Sequence, residues 1–449
     1  MMAEARIVGA AAALAMWLLL CLWAWRRHRR QGGLAADPAT ADVCILHASQ
    51  TGQAEQLARQ TAQSLRAGGL SAAVHSLGQV DAAQLAAWPR VLVIASTYGE
   101  GDPPDEAAAF AGQAMRGLRG LDGLQYGLLA LGDSGYARFC GFGRSLDGWL
   151  RGAGARPLFD RVEVDRGDPA ALRHWQRQLA RLAGRPDLPE WEPPAYGHWR
   201  LAERVLLNPG SAGAPCYHIA LVPAEAGLPA WQAGDIAEIG PRAHVGGALL
   251  PQREYSIASL PADGAVHLLV RQMRRDDGTL GAASGWLTET APPGASIAMK
   301  LRANRSFHPP PDDRPLLLVG SGTGLAGLRA LLKARAAAGH GRNWLVFGER
   351  SAAHDDFYAA DIARWRGQGL LPRVDAVFSR DLPARRYVQH VLADAADDVR
   401  RWIGQGAAVY VCGSRAGMAE GVDRALRGIL GAQGLEHLAQ TGRYRRDVY

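Results

Sequence analysis

The segment Arg253-Glu254-Tyr255-Ser256 places a permanent cation, a planar aromatic ring and a hydroxyl group within four residues. Because side chains alternate along an extended strand, Arg253 and Tyr255 share one face, and Ser256 points to the other face or lies at a bend. Arginine suits a pyrophosphate, tyrosine packs against a flat ring, and a serine hydroxyl can donate a hydrogen bond to a ring nitrogen. The Gly-Ala-Ala-Ser segment at 281–284 is typical of a helix N-terminus that holds phosphate oxygens. Together these segments predict a site for a ligand that has both a flat ring and a pyrophosphate.

Composition limits what the rest of the chain can be. The 449 residues exceed one ordinary core and predict two or three domains. The net charge of +7 rests on 48 arginines and two lysines, which are not interleaved with aromatic residues as a nucleic-acid surface requires. Five scattered cysteines without a Cys-x-x-Cys pair argue against a zinc or iron–sulfur site and against a disulfide scaffold, and they fit a reducing compartment.

The N-terminus carries a membrane signal. Residues 7–25 contain no charge and are long enough to span a bilayer as a helix, and an arginine-rich run follows at 26–30. We therefore predict a single-pass transmembrane anchor over residues 1–30, in an inner (cytoplasmic) membrane, with the following domains on the cytoplasmic side. A cleaved signal peptide is the alternative, but its basic residues would precede the apolar run.

Three apolar strands between residues 42 and 131 each end in a polar loop that bears glycine. Such strands are typical of a parallel, doubly wound sheet, in which ligands bind beyond the carboxyl ends of the strands. The first loop precedes a helical pattern and predicts a terminal-phosphate site made of backbone N–H groups and the hydroxyls of Ser49 and Thr51. Tyr98 and Tyr136 in the other two loops are placed to sandwich a flat ring. The alternatives are a capped helix with a polar turn and two packed loop aromatics.

The remaining chain divides into three parts. A proline-rich linker at 184–197 separates the first unit, residues 41–183, from the rest. Short alternating strands over 198–311 predict an antiparallel barrel that contains the segment described first. Residues 312–449 begin a second doubly wound unit, whose Gly-Ser-Gly-Thr-Gly turn at 320–324 lies between a strand and a helix and can accommodate a pyrophosphate.

A polar cluster follows a later strand of this last unit. Ser379, Arg380, Arg385 and Tyr387 provide a hydroxyl, two cations and an aromatic ring, which together can bind a ribose 2′-phosphate and its adenine. In a chain so rich in arginine, ordinary surface arginines are the alternative.

The loops of the first unit carry a family resemblance. The segments Ser-Gln-Thr-Gly-Gln-Ala-Glu, Ser-Thr-Tyr-Gly-Glu-Gly-Asp-Pro-Pro and Leu-Gly-Asp-Ser-Gly-Tyr-Ala-Arg-Phe-Cys resemble the flavodoxin-like FMN domain of the diflavin reductases. This family includes NADPH–haemoprotein (cytochrome) reductase and the flavoprotein subunit of sulfite reductase. The FMN-binding residues that the resemblance implies are Ser49, Gln50, Thr51, Gly52, Gln53, Ala54, Ser96, Thr97, Tyr98, Gly99, Leu131, Gly132, Asp133, Tyr136 and Phe139.

The barrel and the last unit resemble a ferredoxin–NADP reductase, which implies FAD and NADPH as further cofactors. The residues implied for these two are Arg253, Tyr255, Ser256, Gly281, Ala282, Ala283, Ser284, Gly320, Gly322, Thr323, Gly324, Ser379, Arg380, Arg385, Tyr387, Gln389 and Tyr449. The resemblance also implies four catalytic residues. Ser256 lies near flavin N5, Cys412 lies beside the nicotinamide, Asp447 stabilises the nicotinamide as it becomes cationic, and Tyr449 covers the flavin.

The resemblance implies an NADPH-dependent diflavin oxidoreductase that passes electrons from NADPH to FAD, then to FMN, and then to a one-electron acceptor such as a haemoprotein. No metal site is predicted. Because of the anchor, we expect a haemoprotein or ferric-iron acceptor at the membrane. The alternatives are a membrane-associated ferric or siderophore reductase, a sulfite reductase flavoprotein component, a reductase that has lost one flavin, and a non-enzymatic flavin-binding sensor.

The chain departs from the family pattern in two places. The family inserts a helical connecting domain before the Arg-x-Tyr-Ser strand, whereas here only residues 240–252 separate the preceding strand from Arg253. This absence predicts that the proline-rich linker sets how the two flavin domains approach each other. In addition, Gly327 stands where the family usually has proline.

Overall fold

The computed structural model describes residues 41–449 apart from 118–119, 192–194 and 226. The anchor predicted at residues 7–25 lies outside the described residues. None of the described helices is both long and apolar enough to cross a bilayer.

The first unit is a doubly wound parallel sheet. Its strands are β1 (Val43–Ala48), β2 (Ala72–Ser76), β3 (Arg90–Ser96), β4 (Gln125–Gly132), β5 (Arg156–Pro157) and β6 (Val162–Asp165). The strand order is β2-β1-β3-β4-β5, with β6 also paired to β4, and every pairing is parallel. This is the flavodoxin-type order, and it brings the loops after β1, β3 and β4 to one edge of the sheet.

Helices cover both faces of this sheet, which explains why β1 is buried along its whole length. The helices are α1 (Gln53–Ala67), α2 (Ala82–Ala87), α3 (Ala108–Gly117), α4 (Gly141–Gly152) and α5 (Pro169–Leu182). The apolar sides of α1 and α5 pack on one face, and those of α2, α3 and α4 pack on the other.

The segment between the first unit and the barrel is attached to the first unit at Trp191. Its backbone N–H donates to Gln176 Oε1 and its indole N–H donates to Ser64 Oγ, both at 2.7 Å. Since Ser64 belongs to α1 and Gln176 to α5, this part of the linker is fixed to the unit that it leaves.

The second unit is an antiparallel barrel. Its strands are β7 (Gly197–Leu206), β8 (Cys216–Pro223), β9 (Ile236–Gly240), β10 (Arg253–Ser256), β11 (Val266–Arg271) and β12 (Ser296–Arg302), in the order β10-β9-β12-β7-β8-β11. A bridge between Ile257 and Leu268 joins the two ends of the sheet and closes it. A short helix, α6 (Ala282–Gly285), continues into a π-helical turn at Trp286–Thr290. The segment 241–252 joins β9 to β10 without a helix.

The third unit is a parallel sheet in the order β15-β14-β13-β16-β17. Its strands are β13 (Leu316–Ser321), β14 (Asn343–Glu349), β15 (Arg373–Phe378), β16 (Ala408–Gly413) and β17 (Tyr444–Val448). Its helices are α7 (Leu325–Ala337), α8 (Ala359–Gly367), α9 (Val388–Asp394), α10 (Ala396–Gly404) and α11 (Glu420–Gln440). Barrel residues, among them Ala258 and Phe307, share a continuous apolar core with α7 and this sheet. The barrel and the third unit therefore form one body, called here the reductase half after the family that it resembles.

Candidate functional site

A cleft of about 1070 Å³ lies between the barrel and the third unit. Its walls include β10, the 281–284 turn, residues 321–323 of the glycine-rich turn, and Tyr449. Sites for one drug-sized ligand measure roughly 300–1,000 Å³. The two motifs that the sequence predicts to bind pyrophosphate therefore open into one space large enough for an extended nucleotide.

Three polar residues from distant parts of the chain meet at the wall of this cleft, where Ser256 lines the cleft and Cys412 and Asp447 are buried behind it. The Ser256 hydroxyl donates to Asp447 Oδ2 at 2.6 Å, and the Cys412 Sγ lies 3.7 Å from the same oxygen. Ser256 ends β10 of the barrel, whereas Cys412 and Asp447 are paired neighbours on β16 and β17. The junction of the two units thus assembles three of the four residues predicted to be catalytic.

Burial controls the charge of this trio. Asp447 is only 3% exposed, and burial raises its pKa, although the hydrogen bonds from Ser256 and Cys412 act in the opposite direction. Burial, followed by the charge of Asp447, raises the pKa of Cys412 well above its ordinary value. Cys412 is therefore a neutral thiol, and Asp447 is the residue that can place a negative charge in a poorly solvated site.

Glycines allow this close packing. An ideal Cβ on Gly324 would lie 2.0 Å from the carbonyl oxygen of Cys412, so only glycine lets the turn lie against β16. A Cβ on Gly327 would lie 3.1 Å from Cys412 Sγ and 3.5 Å from Ser256 Cβ. The glycine that replaces the usual proline thus sits directly against the trio.

Tyr449 closes one side of the cleft. Its hydroxyl lies 2.9 Å from Thr323 Oγ1, and its backbone N–H donates to the carbonyl of Gly413 at 3.2 Å. The backbone anchors the last residue to β16, while 55% of the residue remains exposed. This arrangement fits a ring that covers a bound group and can swing aside.

The phosphate side of the cleft contains a cation and a helix start. Arg253 is exposed and donates to the carbonyl of Gln252 at 2.8 Å, and it has no carboxylate partner among the described residues. The residues at 281–284 line the same wall, and Ser284 Oγ accepts a hydrogen bond from the backbone N–H of Met273 at 3.1 Å. A permanent cation and the N–H groups of a first helical turn suit a pyrophosphate.

The predicted 2′-phosphate cluster is only partly at the cleft. Ser379, Tyr387 and Gln389 line the cleft, but Arg380 and Arg385 do not. The Gln389 Oε1 is buried without a hydrogen-bond partner in the described structure, which fits contact with a polar ligand.

Two other arginines line the cleft in their place, Arg350 after β14 and Arg386 before α9. Arg386 forms an exposed ion pair with Asp394. The turn after β15 determines which of the adjacent arginines faces inward, and a sequence in which arginines adjoin gives no signal for that choice.

Sequence reasoning also missed a buried ion pair between Arg271 and Glu349. Both residues line the cleft, Arg271 at the end of β11 and Glu349 at the end of β14. Burial raises the pKa of Glu349, although the charge of Arg271 opposes that shift. The pair joins the barrel to the third unit, and no local motif marks either residue.

The loops after β3 and β4 meet at the carboxyl edge of the first sheet. The backbone N–H of Thr97 donates to the carbonyl of Leu131 at 3.0 Å, so the carboxyl ends of β3 and β4 are hydrogen-bonded to each other. Thr97 Oγ1 is buried without a partner in the described part of the chain. An orphaned hydroxyl beside Tyr98 fits a polar edge of a flat ring, as the FMN assignment requires.

The rest of the β4 loop is partly open. Tyr136 is 39% exposed, and Asp133 accepts from the backbone N–H of Gly135 at 2.7 Å. Phe139 lies under the Arg144 guanidinium, whose carbon is 5.6 Å from the ring centre. A half-exposed tyrosine at the sheet edge is accessible to a flat ring.

The loop at 49–54 reaches the same edge but is partly engaged by protein. Ser49 Oγ accepts from the backbone N–H of Ala54 at 3.2 Å, and the backbone N–H of Ser49 donates to Glu106 Oε2 at 2.7 Å. Gly52 has a φ of +86°, and an ideal Cβ there would lie 2.0 Å from the carbonyl oxygen of Ala303 in the barrel. The backbone N–H groups of Thr51, Gly52 and Gln53, at the start of α1, can hold a phosphate.

Comparison with known proteins supports both ends of this description. The Flavodoxin family model matches residues 45–175, and the Oxidoreductase NAD-binding domain model matches residues 318–424. The chain is 28% identical to the sulfite reductase (NADPH) flavoprotein alpha-component of Vibrio cholerae, covering 93% of this chain and 89% of that protein. It is also 28% identical to the protein of the same name from Neisseria meningitidis serogroup C, covering 97% of this chain and 95% of that protein.

The alignment with the Vibrio cholerae protein spans 548 positions, more than the 449 residues of this chain. That relative therefore carries residues that have no counterpart here. The predicted flavodoxin-type and NAD-binding units are confirmed, as are FMN, FAD and NADPH as cofactors.

Proposed function

We infer that this chain, which belongs to the diflavin reductases, is an NADPH-dependent oxidoreductase that delivers electrons to a one-electron acceptor. The observation that carries this conclusion is the contact of Asp447 with Ser256 and Cys412, directly behind the wall that Ser256 forms in a cleft lined by both pyrophosphate-type motifs. When bound, the flavins supply hydride acceptance and single-electron release, and the protein supplies binding and orientation.

The trio acts on the nicotinamide side. Asp447 places a negative charge where the nicotinamide gains positive charge as it loses hydride, and the poorly solvated surroundings strengthen that attraction. The Ser256 hydroxyl donates to Asp447 and fixes the carboxylate orientation. Cys412 contributes a neutral surface that packs against the ring and excludes water.

The remaining assignments concern binding. Arg253 and the 281–284 turn bind the FAD pyrophosphate, and Tyr255 packs on its ring. Ser379 and Arg386 bind the 2′-phosphate of NADPH, which selects it over NADH because the cation and hydroxyl have no phosphate to contact in NADH.

For the acceptor, we propose a haemoprotein. The relatives named as sulfite reductase flavoprotein components favour a haem-containing sulfite-reducing partner as a second candidate. We further propose that residues 7–25 tether the enzyme to a membrane, which raises the encounter rate with a membrane-bound acceptor by effective concentration. Deleting residues 1–30 should then slow reduction of membrane-bound acceptor and leave reduction of a soluble acceptor unchanged. A deletion that leaves the rate unchanged with both acceptors would remove the tether from the proposal.

The function itself is tested by anaerobic rapid mixing of the purified yellow protein with NADPH or NADH. Flavin absorbance should bleach quickly with NADPH and much more slowly with NADH. A protein that stays oxidised with both nucleotides would refute an oxidoreductase role and favour a flavin-binding sensor.

A further inference from the structure

The last strand of the chain touches both redox sites. Adjacent residues of β17 point to opposite faces, so Arg446 and Asp447 project in opposite directions. Asp447 reaches Ser256 in the cleft, whereas Arg446 crosses to the first unit and pairs with Asp105. One strand thus lies between the predicted FAD and FMN sites.

The contact made by Arg446 is buried on both sides. Its side chain is 17% exposed and that of Asp105 is 4% exposed, and Arg446 Nε donates to Asp105 Oδ1 at 2.9 Å. The guanidinium carbon also lies 4.2 Å from the ring centre of Tyr98. Burial alone would lower the pKa of Arg446, but the charge and hydrogen bond of Asp105 together with Tyr98 and Tyr444 outweigh it, so the pKa is raised and Arg446 stays charged.

Neighbouring hydrogen bonds continue this contact into the loop at 49–54. The Gln50 side-chain amide donates to the backbone carbonyl of Arg446 at 2.7 Å and to Asp105 Oδ2 at 3.1 Å. The Ser306 hydroxyl donates to the carbonyl of Gln50 at 2.5 Å. The Arg446 contact therefore fixes the orientation of two ligand-binding loops of the first unit against the reductase half.

We propose that Arg446 is the positioning residue that docks the FMN-binding unit on the reductase half for electron transfer between the flavins. The proposal rests on the function proposed above, since it concerns transfer from one flavin to the other. It assigns to the last strand an orienting role that, from sequence alone, fell to the proline-rich linker. Such a contact compensates for the short segment 241–252, which has no helix to orient the two halves.

The interface offers a matched control. Arg305 and Glu55 also form an ion pair across it, at 3.5 Å, but the Arg305 side chain is 62% exposed. Exposed pairs contribute little because water and salt screen them, whereas removing one partner of a buried pair leaves an unpaired buried charge. Arg446→Ala and Arg305→Ala remove the same charge from the same interface and differ in burial.

Two measurements on the full-length protein test the proposal. The first is hydrogen–deuterium exchange of peptides covering 49–54 and 303–306, with no nucleotide added, which reports docking without any turnover. Arg446→Ala should speed exchange in both peptides by at least about tenfold, the factor that corresponds to about 1.4 kcal/mol of docking free energy. Arg305→Ala should change it by less than about twofold, a shift within the small contribution of an exposed ion pair.

The second measurement is anaerobic rapid mixing with NADPH. Arg446→Ala should leave the first flavin-reduction phase unchanged and slow the later phase, in which electrons reach the second flavin, by at least about tenfold. Asp105→Asn, which keeps the side-chain shape, should produce the same split, and the double variant should be no slower than either single variant.

Unchanged exchange and an unchanged second phase in Arg446→Ala would overturn the proposal, as would an equal effect of Arg305→Ala. Absence of the first phase in the wild-type protein would instead refute the oxidoreductase function, while the exchange data would still report on docking. The two failures are therefore distinguishable.

Discussion

Replacing Asp447 by asparagine tests the negative charge that we propose acts on the nicotinamide. Asparagine has nearly the same shape, and its carbonyl oxygen can still accept the hydrogen bond that Ser256 donates at 2.6 Å. The Cys412 thiol, 3.7 Å from the same oxygen, also keeps a polar neighbour. The variant therefore changes the charge of the site while preserving its packing.

The expected loss follows from burial. A preorganised group aimed at charge that develops in the transition state contributes about 10²–10³ in rate, or about 2.7–4 kcal/mol. Asp447 is 3% exposed, so water cannot replace its charge. We expect Asp447→Asn to slow hydride transfer by about 10²-fold, and Asp447→Ala to slow it further because the Ser256 hydroxyl loses its acceptor at a cost of about 1–3 kcal/mol.

The assay is the first phase of flavin bleaching after anaerobic mixing, measured over a range of NADPH concentrations. The maximal rate should fall, and the concentration giving half that rate should stay nearly constant, because the 2′-phosphate contacts are untouched. Flavin content serves as the control for folding. A maximal rate within about threefold of the wild-type value would refute the assignment, since the charge would then contribute far less than preorganised groups do.

The same variant has a stability signature. Burial raises the pKa of Asp447, so the folded state binds that proton more tightly than the unfolded state, and stability is lost as pH rises through the interval between the ordinary and the raised value. At neutral pH, Asp447→Asn should therefore melt at the same or a higher temperature than the wild type, and its advantage should vanish in acid. The acid limb of the wild-type hydride-transfer rate should also be missing in the variant. A variant that is less stable than wild type only at neutral pH would contradict this sign.

Further outcomes follow from particular contacts. Gly324→Ala should abolish NADPH-dependent reduction while flavin stays bound, because its Cβ would lie 2.0 Å from the carbonyl oxygen of Cys412; full activity would show that the turn can move. Arg386→Ala should raise the KM for NADPH at least about tenfold and leave that for NADH unchanged, measured by steady-state kinetics, because one charge-assisted phosphate contact is lost; an equal effect on both nucleotides would place Arg386 away from the 2′-phosphate. Tyr449→Ser should loosen the closure over the cleft and reduce the preference for NADPH over NADH, since the ring and the contact between its hydroxyl and that of Thr323 are lost; an unchanged preference would mean that Tyr449 does not cover the nicotinamide position.

Local backbone requirements explain what could be predicted from the sequence. Arg90–Ser96 form one of the three apolar strands predicted between residues 42 and 131, and the glycine-rich turn before α7 lies between a strand and a helix, as the pattern predicts. These features depend on a few consecutive residues whose hydrophobicity or lack of a Cβ decides the local conformation. The trio of Ser256, Cys412 and Asp447 was predicted in a different way, through family resemblance, because its members are far apart in the chain.

The interface between the halves had no such signal. Gln50 and Arg446 are nearly 400 residues apart in sequence, and their contact arises only when two separate units pack together. Arg446 is one of 48 arginines, so its type alone carries no information. The same limit explains why the sequence pointed to Arg380 and Arg385, whereas Arg350 and Arg386 line the cleft in the structure. Long-range packing and the course of a turn settle such choices, and neither is encoded in a short motif.

The most direct test of the central claim is to release and quantify the flavins of the purified full-length protein and then titrate it anaerobically with NADPH. The account predicts FMN and FAD in equal amounts and full reduction by about two equivalents of NADPH per chain, one for each flavin. A single kind of flavin, or a spectrum that NADPH leaves unchanged, would contradict it.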